Sequence, residues 1–212
     1  MLLAFDTATP LVTVALHDGG DVVSELVSER PLQHGEQLAP LIDRILREAG
    51  LVRQDLTAIG VGVGPGPFTG LRVGLVTART LGYVLDLPVY GVCTLDVLAV
   101  EARDTGATTS NFVVATDARR KEVYLASYDD GGARLDGPEV ARPADVATDL
   151  PVVGEGAVLY PEAFPNAAGP RMPSAGWLAR VVAEERAQLY DPEPLYLRRP
   201  DAATPGTPKR VS

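Results

Sequence analysis

The stretch VGVGPGPFTGLRVG, residues Val61–Gly74, decides how this chain folds. Five of its fourteen residues are glycine and two are proline, which marks a tight turn or a close approach of the backbone to another group. An apolar strand is predicted over Ala58–Val63, and a helix is predicted over Gly70–Leu85. The stretch therefore predicts a strand–turn–helix unit. Either a phosphate or another piece of protein approaches its glycines.

The phosphate interpretation has weak support from the residue pattern. A Walker A loop needs a lysine to neutralise phosphate charge, and this stretch contains none. The dinucleotide fingerprint G-x-G-x-x-G fits only loosely, because the last interval of GPGPFTG is one residue too long. The free N–H groups at the start of the following helix still favour an anion, so Gly64 and Gly66 are candidate anion contacts.

The predicted helix carries a small residue at every fourth position, which forms one slanted groove on its surface. Glycine inside a helix costs about 0.5–1 kcal/mol relative to alanine, so interior glycines imply a compensating close contact. Two partners for the groove remain open, the chain's own sheet and a helix of another chain. The row consists of Gly70, Gly74, Ala78 and Gly82.

The residues before this unit predict three strands and a helix. A short apolar run favours a buried strand over Leu2–Asp6, and alternating residues favour strands over Val12–His17 and Val22–Ser28. A helix follows and ends at Gly50, and its apolar stripe is wider than one buried face requires, which leaves an edge for another chain. The stripe comprises Leu38, Leu41, Ile42, Ile45, Leu46 and Ala49.

The second half of the chain repeats the opening of the first half. FVVATDARRKEVYLASYDDGG aligns with LLAFDTATPLVTVALHDGG at an offset of 111 residues, which pairs Asp6 with Asp117 and Val14 with Leu125. Because the offset is close to half the chain, we favour a duplicated fold over two unrelated hairpins. The pattern predicts an α/β protein with two subdomains that face each other across a cleft.

The predicted boundaries follow from this duplication. Residues 1–105 are expected to form an N-terminal subdomain, and residues 106–200 a reduced C-terminal subdomain, both of a βββαβα type. A helix is predicted from Ser174 to Leu189, with Ser174 as its N-cap. Residues 201–212 are predicted to be a flexible tail.

Composition excludes several classes of protein. The chain has 212 residues and a formal net charge of −9, and neither half is basic, so no broad surface is predicted to hold nucleic acid by itself. A single cysteine, Cys93, excludes a disulfide framework. No apolar run reaches the roughly 18 residues of a membrane span, and the start lacks the pattern of a signal peptide. We therefore expect a cytoplasmic protein with no membrane contact.

Few residues offer catalytic chemistry. The two histidines, His17 and His34, share no metal-ligand spacing, and no G-x-S-x-G nucleophile elbow occurs. We therefore predict neither a catalytic residue nor a metal ligand. The segment TDARRKEVY, residues 116–124, is either a solvated hairpin turn or a polar contact surface.

Two acidic residues are candidates for a site in the cleft. Asp6 and Asp117 both end predicted strands, and in a duplicated fold they would face each other, where paired carboxylates could hold a metal–phosphate group. Asp at a strand end is also ordinary turn chemistry. The candidate anion or nucleotide contacts are Asp6, Thr7, Gly64, Gly66 and Asp117.

Five motifs, in order and spread over nearly the whole chain, resemble the TsaB (YeaZ) family. They are LAFDTAT at 3–9, GVGPGPFTGLRVG at 62–74, LPVYGVCTLDVLA at 87–99, DARRKEVY at 117–124 and PLYLR at 194–198. The resemblance implies the actin/Hsp70/sugar-kinase-like (ASKHA) fold. It also implies a role in making N6-threonylcarbamoyladenosine (t6A) at position 37 of tRNAs that read codons starting with A.

The resemblance further implies partners. It implies pairing with a catalytic paralogue, TsaD, and with the small ATPase TsaE, while ATP and Mg²⁺ are used by the assembled complex and tRNA is met only through that complex. The contact with the paralogue, and a homodimer contact on the same surface, are expected at the two helices. The expected interface residues are Leu38, Leu41, Ile42, Ile45, Gly70, Gly74, Ala78 and Gly82.

The resemblance favours a non-catalytic subunit. The paralogue carries a metal-binding H-x-x-x-H pair, which falls on Thr94 and Leu98 in this chain, and neither side chain can replace an imidazole. The sequence GEGA at 154–157 is at best a remnant of an adenosine pocket. Two alternatives stay open. One is a glycopeptidase-like metalloenzyme or ATP-using kinase-like protein that acts alone, and the other is a nucleotide-sensing, chaperone-like binder.

Overall fold

A computed structural model describes residues 1–28 and 30–198 of the chain. The first half opens with three antiparallel strands and continues with alternating helices and strands, as its apolar pattern predicts. Its elements are β1 (Leu2–Asp6), β2 (Thr13–His17), β3 (Val22–Val27), α1 (His34–Glu48), β4 (Ala58–Gly64), α2 (Phe68–Leu85), β5 (Val89–Cys93) and α3 (Thr94–Asp104).

The second half has shorter elements. A 3-10 turn, Pro143–Asp145, stands where the first half has the 15-residue helix α1, so this half is reduced as predicted. Its elements are β6 (Phe112–Asp117), β7 (Val123–Tyr128), β8 (Arg134–Ala141), β9 (Val152–Val153), α4 (Glu155–Leu159), β10 (Ala167–Ala168), α5 (Ala175–Glu184) and β11 (Leu189–Tyr190).

The two halves share one topology. The first sheet has the order β11-β5-β4-β1-β2-β3, and the second has the order β10-β9-β6-β7-β8. In each half the first strand pairs antiparallel with the second and parallel with the fourth. Apart from β11, the strand order is therefore repeated. The repeat confirms the predicted α/β fold of the actin/Hsp70/sugar-kinase-like type.

The constant offset of 111 residues between the halves is wrong beyond the first strand. Asp6 faces Thr13 in the first hairpin, whereas Asp117 faces Val123 in the second. The second connection is one residue shorter, so the offset falls to 110 in β7 and the partner assigned to Val14 shifts by one residue. The pairing of the first strands stands, because Asp6 and Asp117 each end one.

Helices cover both faces of the first sheet. Helices α1 and α2 pack on one face through a core that includes Ile45 and Leu71. Helices α3 and α5 pack on the other face through Val97 and Leu178, among others. Helix α3 also contacts the second sheet through Leu98, so it forms a layer between the two sheets. Helix α4 covers the outer face of the second sheet.

The last part of the chain returns to the first sheet. Helix α5 packs on that sheet, and β11 pairs with β5 at its edge, where Leu189 faces Val92. Both elements lie within the range 106–200 that the sequence assigned to the second subdomain. Ser174 is the N-cap of α5 as predicted, since its hydroxyl accepts from the Trp177 N–H, but the helix ends at Glu184 because Glu185 is left-handed (φ 51°).

No helix within the described ranges is long and apolar enough to cross a membrane. The predicted tail, residues 201–212, lies outside the described residues.

Candidate functional site

Strand β1 ends at Asp6, next to the glycine-rich turn that was predicted as a candidate anion site. The Asp6 carboxylate is buried and accepts hydrogen bonds from the Ala8 N–H (2.6 Å) and the Thr94 hydroxyl (2.7 Å). Burial raises the pKa of Asp6, because desolvation outweighs these hydrogen bonds and the attraction of His34. The carboxylate is engaged inside the chain, which fits the turn chemistry better than a metal–phosphate site.

The glycines of the opening stretch make room for the chain itself. A methyl group on Gly62 would collide with the Asp6 carboxylate, and one on Gly66 would collide with the backbone of Ala8. Gly64 has a φ of 94°, a conformation that glycine adopts at little cost. The groups that approach these glycines are therefore parts of the chain itself: Asp6 at Gly62, Leu71 at Gly64 and Ala8 at Gly66.

The small row of α2 faces inward. A methyl group on Gly70 would strike the carbonyl of Thr7, and one on Gly74 would strike the Thr7 side chain. The Thr7 hydroxyl donates to the Gly70 carbonyl at 2.8 Å, which fastens the β1–β2 connection to the helix. This corrects the expectation that the row meets a helix of another chain. All four of its members are buried: Gly70, Gly74, Ala78 and Gly82.

Most of the α1 stripe is also used inside the chain. Leu38, Ile42 and Ile45 are buried in the core beneath α1 and α2, so they are not available to a partner in this structure. Leu41 is the exception among the α1 residues expected at an interface, because it keeps part of its surface. It lines an open groove of about 320 Å³ whose other lining residues include Val27 at the end of β3.

The outward face of α2 is more apolar than a solvated helix requires. Val76, Tyr83 and Val84 retain 62%, 90% and 70% of their surface. Their spacing of seven and eight residues places them on one side of the helix. Sequence reasoning missed this face because it followed the small residues. The sequence did contain a signal for this face. Once the small residues are assigned to the buried side of α2, Val76, Tyr83 and Val84 are among the apolar residues that remain, and they lie on its exposed side.

One space between the two halves is nearly closed. The space between the β1–β2 connection and the end of β6 is about 10 Å³, which is roughly the room that one water needs. Asp117 lines it, and its carboxylate accepts from the Arg119 N–H (2.8 Å) and pairs with the Arg119 guanidinium (3.0 Å). Burial, together with the charge of Asp117, raises the pKa of Glu155 at the same place. Asp6 is not one of the described residues that line this space, so the two carboxylates predicted to face each other do not share it.

The GEGA segment serves packing. A methyl group on Gly154 or on Gly156 would strike Ala115 of β6, so both glycines allow α4 to lie directly on the strand. The positive φ of Gly154, 103°, lets the chain turn from β9 into α4. The segment is thus occupied by protein contacts.

The positions expected of a metal pair hold structural residues. Thr94 begins α3 and donates to Asp6, and Leu98 is buried between α3 and the second sheet. His34 has its Nε2 atom 2.7 Å from the Thr9 carbonyl. Within residues 1–28 and 30–198, no group of three or more His, Cys, Asp and Glu side chains is arranged for a metal ion.

A buried polar cluster joins α3 to both sheets. The Tyr128 hydroxyl donates to the Asp96 carboxylate at 2.7 Å, and the Arg134 guanidinium lies 3.7 Å from the same oxygen. Arg134 also donates to the hydroxyl of Tyr190 in β11. Burial raises the pKa of Asp96 and of Tyr128. The cluster ties the second sheet to the edge of the first, and no sequence motif indicated it.

The β6–β7 connection is basic and has an unusual backbone. Arg119, Arg120 and Lys121 have φ values of 61°, 56° and 61°, three successive left-handed residues. This conformation costs roughly 1–2 kcal/mol for each residue with a side chain. Sequence reasoning missed it, because glycine or asparagine usually marks such positions and neither occurs here.

Comparisons with known proteins bear on this geometry. The family model described as "TsaD: tRNA N6-adenosine threonylcarbamoyltransferase" matches residues 16–165. An uncharacterized protein of Mycobacterium tuberculosis is 45% identical over 208 residues, which cover 95% of this chain and 93% of that protein. The tRNA threonylcarbamoyladenosine biosynthesis protein TsaB of Escherichia coli is 40% identical over 128 residues, or 60% of this chain and 54% of that protein.

A solved structure matches over nearly its full length. YeaZ from Pseudomonas aeruginosa is 30% identical and superposes with a TM-score of 0.72, covering 92% of this chain and 99% of that chain. The chain belongs to the TsaB (YeaZ) family. The resemblance drawn from the five motifs is thereby confirmed. Three features that the motifs did not reveal are the outward face of α2, the buried cluster around Asp96 and the left-handed basic turn.

Proposed function

We propose that this chain is a non-catalytic subunit for the formation of t6A in tRNA, and that it works in the cytoplasm with a TsaD-type paralogue and a TsaE-type ATPase. Two similarities support the reaction. The E. coli relative is a tRNA threonylcarbamoyladenosine biosynthesis protein, and the matching family model is that of a threonylcarbamoyltransferase. In this proposal ATP and Mg²⁺ are used by the assembled complex and are not bound by this chain alone.

The hydrogen bond from Thr94 to Asp6 carries the non-catalytic part of this proposal. It lies where the metal pair of the paralogue is expected, and it is buried. A threonine hydroxyl that donates to a carboxylate is a structural tie, and Leu98, the second position, is a core side chain.

The outward face of α2 is the proposed contact with the paralogue. Val76, Tyr83 and Val84 expose apolar surface that the described residues do not cover, and exposed aromatic residues commonly anchor interfaces. Leu41 on α1 is the member of the earlier interface set that keeps surface for such a contact. A second copy of the chain is expected to compete for the same face, since a two-fold dimer uses one patch twice.

Reconstitution tests the proposed function. The paralogue, the small ATPase, threonylcarbamoyl-AMP, ATP and a tRNA transcript are incubated with and without this chain, and t6A is measured by mass spectrometry of the digested tRNA. We expect t6A only when the chain is present, and no ATP hydrolysis by the chain alone. Equal amounts of t6A without the chain would refute the subunit role. ATP turnover by the isolated chain would favour the kinase-like alternative.

A further inference from the structure

The β6–β7 connection holds three cations in a backbone conformation that does not suit them. Glycine, asparagine or aspartate would occupy left-handed positions at lower cost than Arg119, Arg120 and Lys121. Residues that break a local rule of this kind concentrate at functional sites. The backbone of this turn would be more stable with glycine or asparagine at these positions. We therefore expect the three cationic side chains to serve a contact outside the turn.

A cavity of about 360 Å³ opens beside this connection, between the start of α2 and residues 196–198. Arg119, Arg120 and Arg198 line it, and no acidic residue is among the described residues that do so. The Arg119 side chain is 51% exposed although it pairs with Asp117. This side of the cavity is positively charged and suits an anionic ligand.

Aromatic rings also line the same cavity. Phe68 and Tyr196 both line it, and their rings stack with centroids 5.1 Å apart. The guanidinium of Arg72 lies 3.8 Å from the centre of the Phe68 ring, on the same stack. Aromatic and guanidinium planes beside a cationic groove are the surfaces on which unpaired bases stack while the backbone phosphates meet the cations.

Cations continue on the other side of the connection. Lys121 and Arg142 line an open depression of about 710 Å³, together with one acidic residue, Glu162. Three further acids lie in the region: Asp117 pairs with Arg119, Glu122 pairs with Arg198, and Glu155 lies beside Asp117. The five cations still outnumber the four acids. In a chain with a formal net charge of −9, this is a local reversal of sign that the composition of each half conceals.

We propose that this basic surface contacts the phosphate backbone of a structured RNA, with an unpaired base against the Tyr196 end of the stacked rings. The identity of the RNA as a tRNA rests on the proposed function, whereas its phosphate chemistry rests on the side chains alone. The contact spans two depressions on either side of one turn, which suits an extended polyanion better than a single small molecule. The basic surface is formed by Arg119, Arg120, Lys121, Arg142 and Arg198.

The direct test measures binding of a fluorescein-labelled tRNA transcript to the isolated chain by anisotropy, from low to physiological salt. Lys121→Gln and Arg142→Gln should each weaken binding by about threefold to tenfold and lower the slope of log affinity against log salt by about one. Arg53→Gln makes the same charge change on an exposed turn of the first half, and its affinity should equal that of the unaltered chain. Equal affinities for all four proteins would overturn the proposal.

A backbone variant separates the side chain from the turn. Lys121→Gly removes the same charge as Lys121→Gln but suits the left-handed position, so it should raise the unfolding temperature while it weakens RNA binding equally. A glycine variant that lowers the unfolding temperature would assign the lysine a structural role. That result would show that the lysine stabilises the turn, which contradicts the premise that the cations are held there at a cost, and it would overturn the proposal.

Competition distinguishes RNA from a free nucleotide, which shares the same phosphate chemistry. A 4-thiouridine-substituted tRNA should cross-link to the peptides that contain Phe68 and Tyr196, and ATP at equal phosphate concentration should displace it only partly. Complete displacement by ATP without any cross-link would make the cavity a nucleotide pocket and refute the RNA contact. If the chain binds RNA but t6A forms equally well without it, the proposed function is wrong and this inference still holds.

Discussion

The hydroxyl of Thr94 donates a 2.7 Å hydrogen bond to the buried carboxylate of Asp6, across 88 residues of chain. Thr94 is the first residue of α3, and Asp6 is the last residue of β1, so the bond joins the central helix layer to the first sheet. The same carboxylate occupies the space that Gly62 leaves by having no side chain. Three separate motifs of the sequence thus meet at one buried acid.

Removal of the Thr94 hydroxyl should destabilise the fold. Thr94→Val leaves the Asp6 carboxylate with one donor fewer, at a cost of about 1–3 kcal/mol in the free energy of unfolding. Burial already raises the pKa of Asp6 above its unfolded value, so protonation favours the folded state and stability from this group falls as the pH rises. The variant raises this pKa further. Its deficit in urea unfolding should be largest at neutral pH and shrink as Asp6 becomes protonated. Thr80→Val, on the exposed side of α2, is the control; an equal deficit in both variants would contradict this account.

Substitution of Gly74 should show that its row packs inward. Gly74→Ala brings a methyl group against the Thr7 side chain, and we expect a loss of about 1–3 kcal/mol in unfolding free energy despite the better helix propensity of alanine. Gly35→Ala is the matched control, because the nearest atom is 4.0 Å away. Gly35 lies in the first turn of α1, where the added methyl group meets nothing closer, so this variant should not be destabilised. A stabilised Gly74→Ala would mean that the row has room for side chains.

Charges on the outward face of α2 should abolish pairing and leave the fold intact. Val76→Glu combined with Tyr83→Glu places two carboxylates in the proposed contact, which should weaken binding of the paralogue by at least about thirtyfold. Circular dichroism should be unchanged, since both side chains are exposed. Val23→Glu on the edge strand β3 has comparable exposure and should bind normally. Normal binding by the double variant would exclude this face.

Glu101 should make the stability of the protein depend on pH near neutrality. Burial, with a smaller contribution from Glu25, raises the pKa of Glu101 to about 7, and its Oε2 has no hydrogen-bond partner among the described residues. Because the folded pKa lies above the unfolded one, its contribution is favourable in acid and is lost as the pH rises through about 7. Glu101→Gln should therefore be more stable than the unaltered chain at pH values above this range. Glu48→Gln, on exposed α1, should show no such gain; a gain of equal size there would point to net charge as the cause.

Cys93 should be chemically silent in the folded protein. Burial and the nearby Asp96 raise the pKa of its thiol to about 12, so almost no thiolate exists at neutral pH. A thiol reagent should react only at the rate of unfolding, and fully in denaturant. Ser110→Cys supplies an exposed thiol that should react at once. Immediate modification of Cys93 in the native chain would show that α3 opens far more readily than its packing suggests.

The apolar periodicity of the sequence was sufficient for the strands and helices of the first half. Strand β1 over Leu2–Asp6 has the predicted bounds, and α2 begins only two residues before the predicted Gly70 because Pro67 stands just ahead of its first turn. The register of the second half was not predictable from a constant offset. One residue fewer in a connection shifts every later pair, and no local pattern reports which connection is short.

The sequence by itself determined the duplicated α/β fold, the absence of a histidine pair at Thr94 and Leu98, and the family, because each depends on residue type and order along the chain. Only the tertiary structure decided what the small residues of α2 contact. A row at every fourth position specifies that something comes close, and whether this is Thr7 or a partner depends on where a distant connection folds. The tertiary structure likewise decided the place of the cations. Arg119 and Arg198 are 79 residues apart in an acidic chain, and their charges add up on one surface only because the backbone brings them to the same cavity.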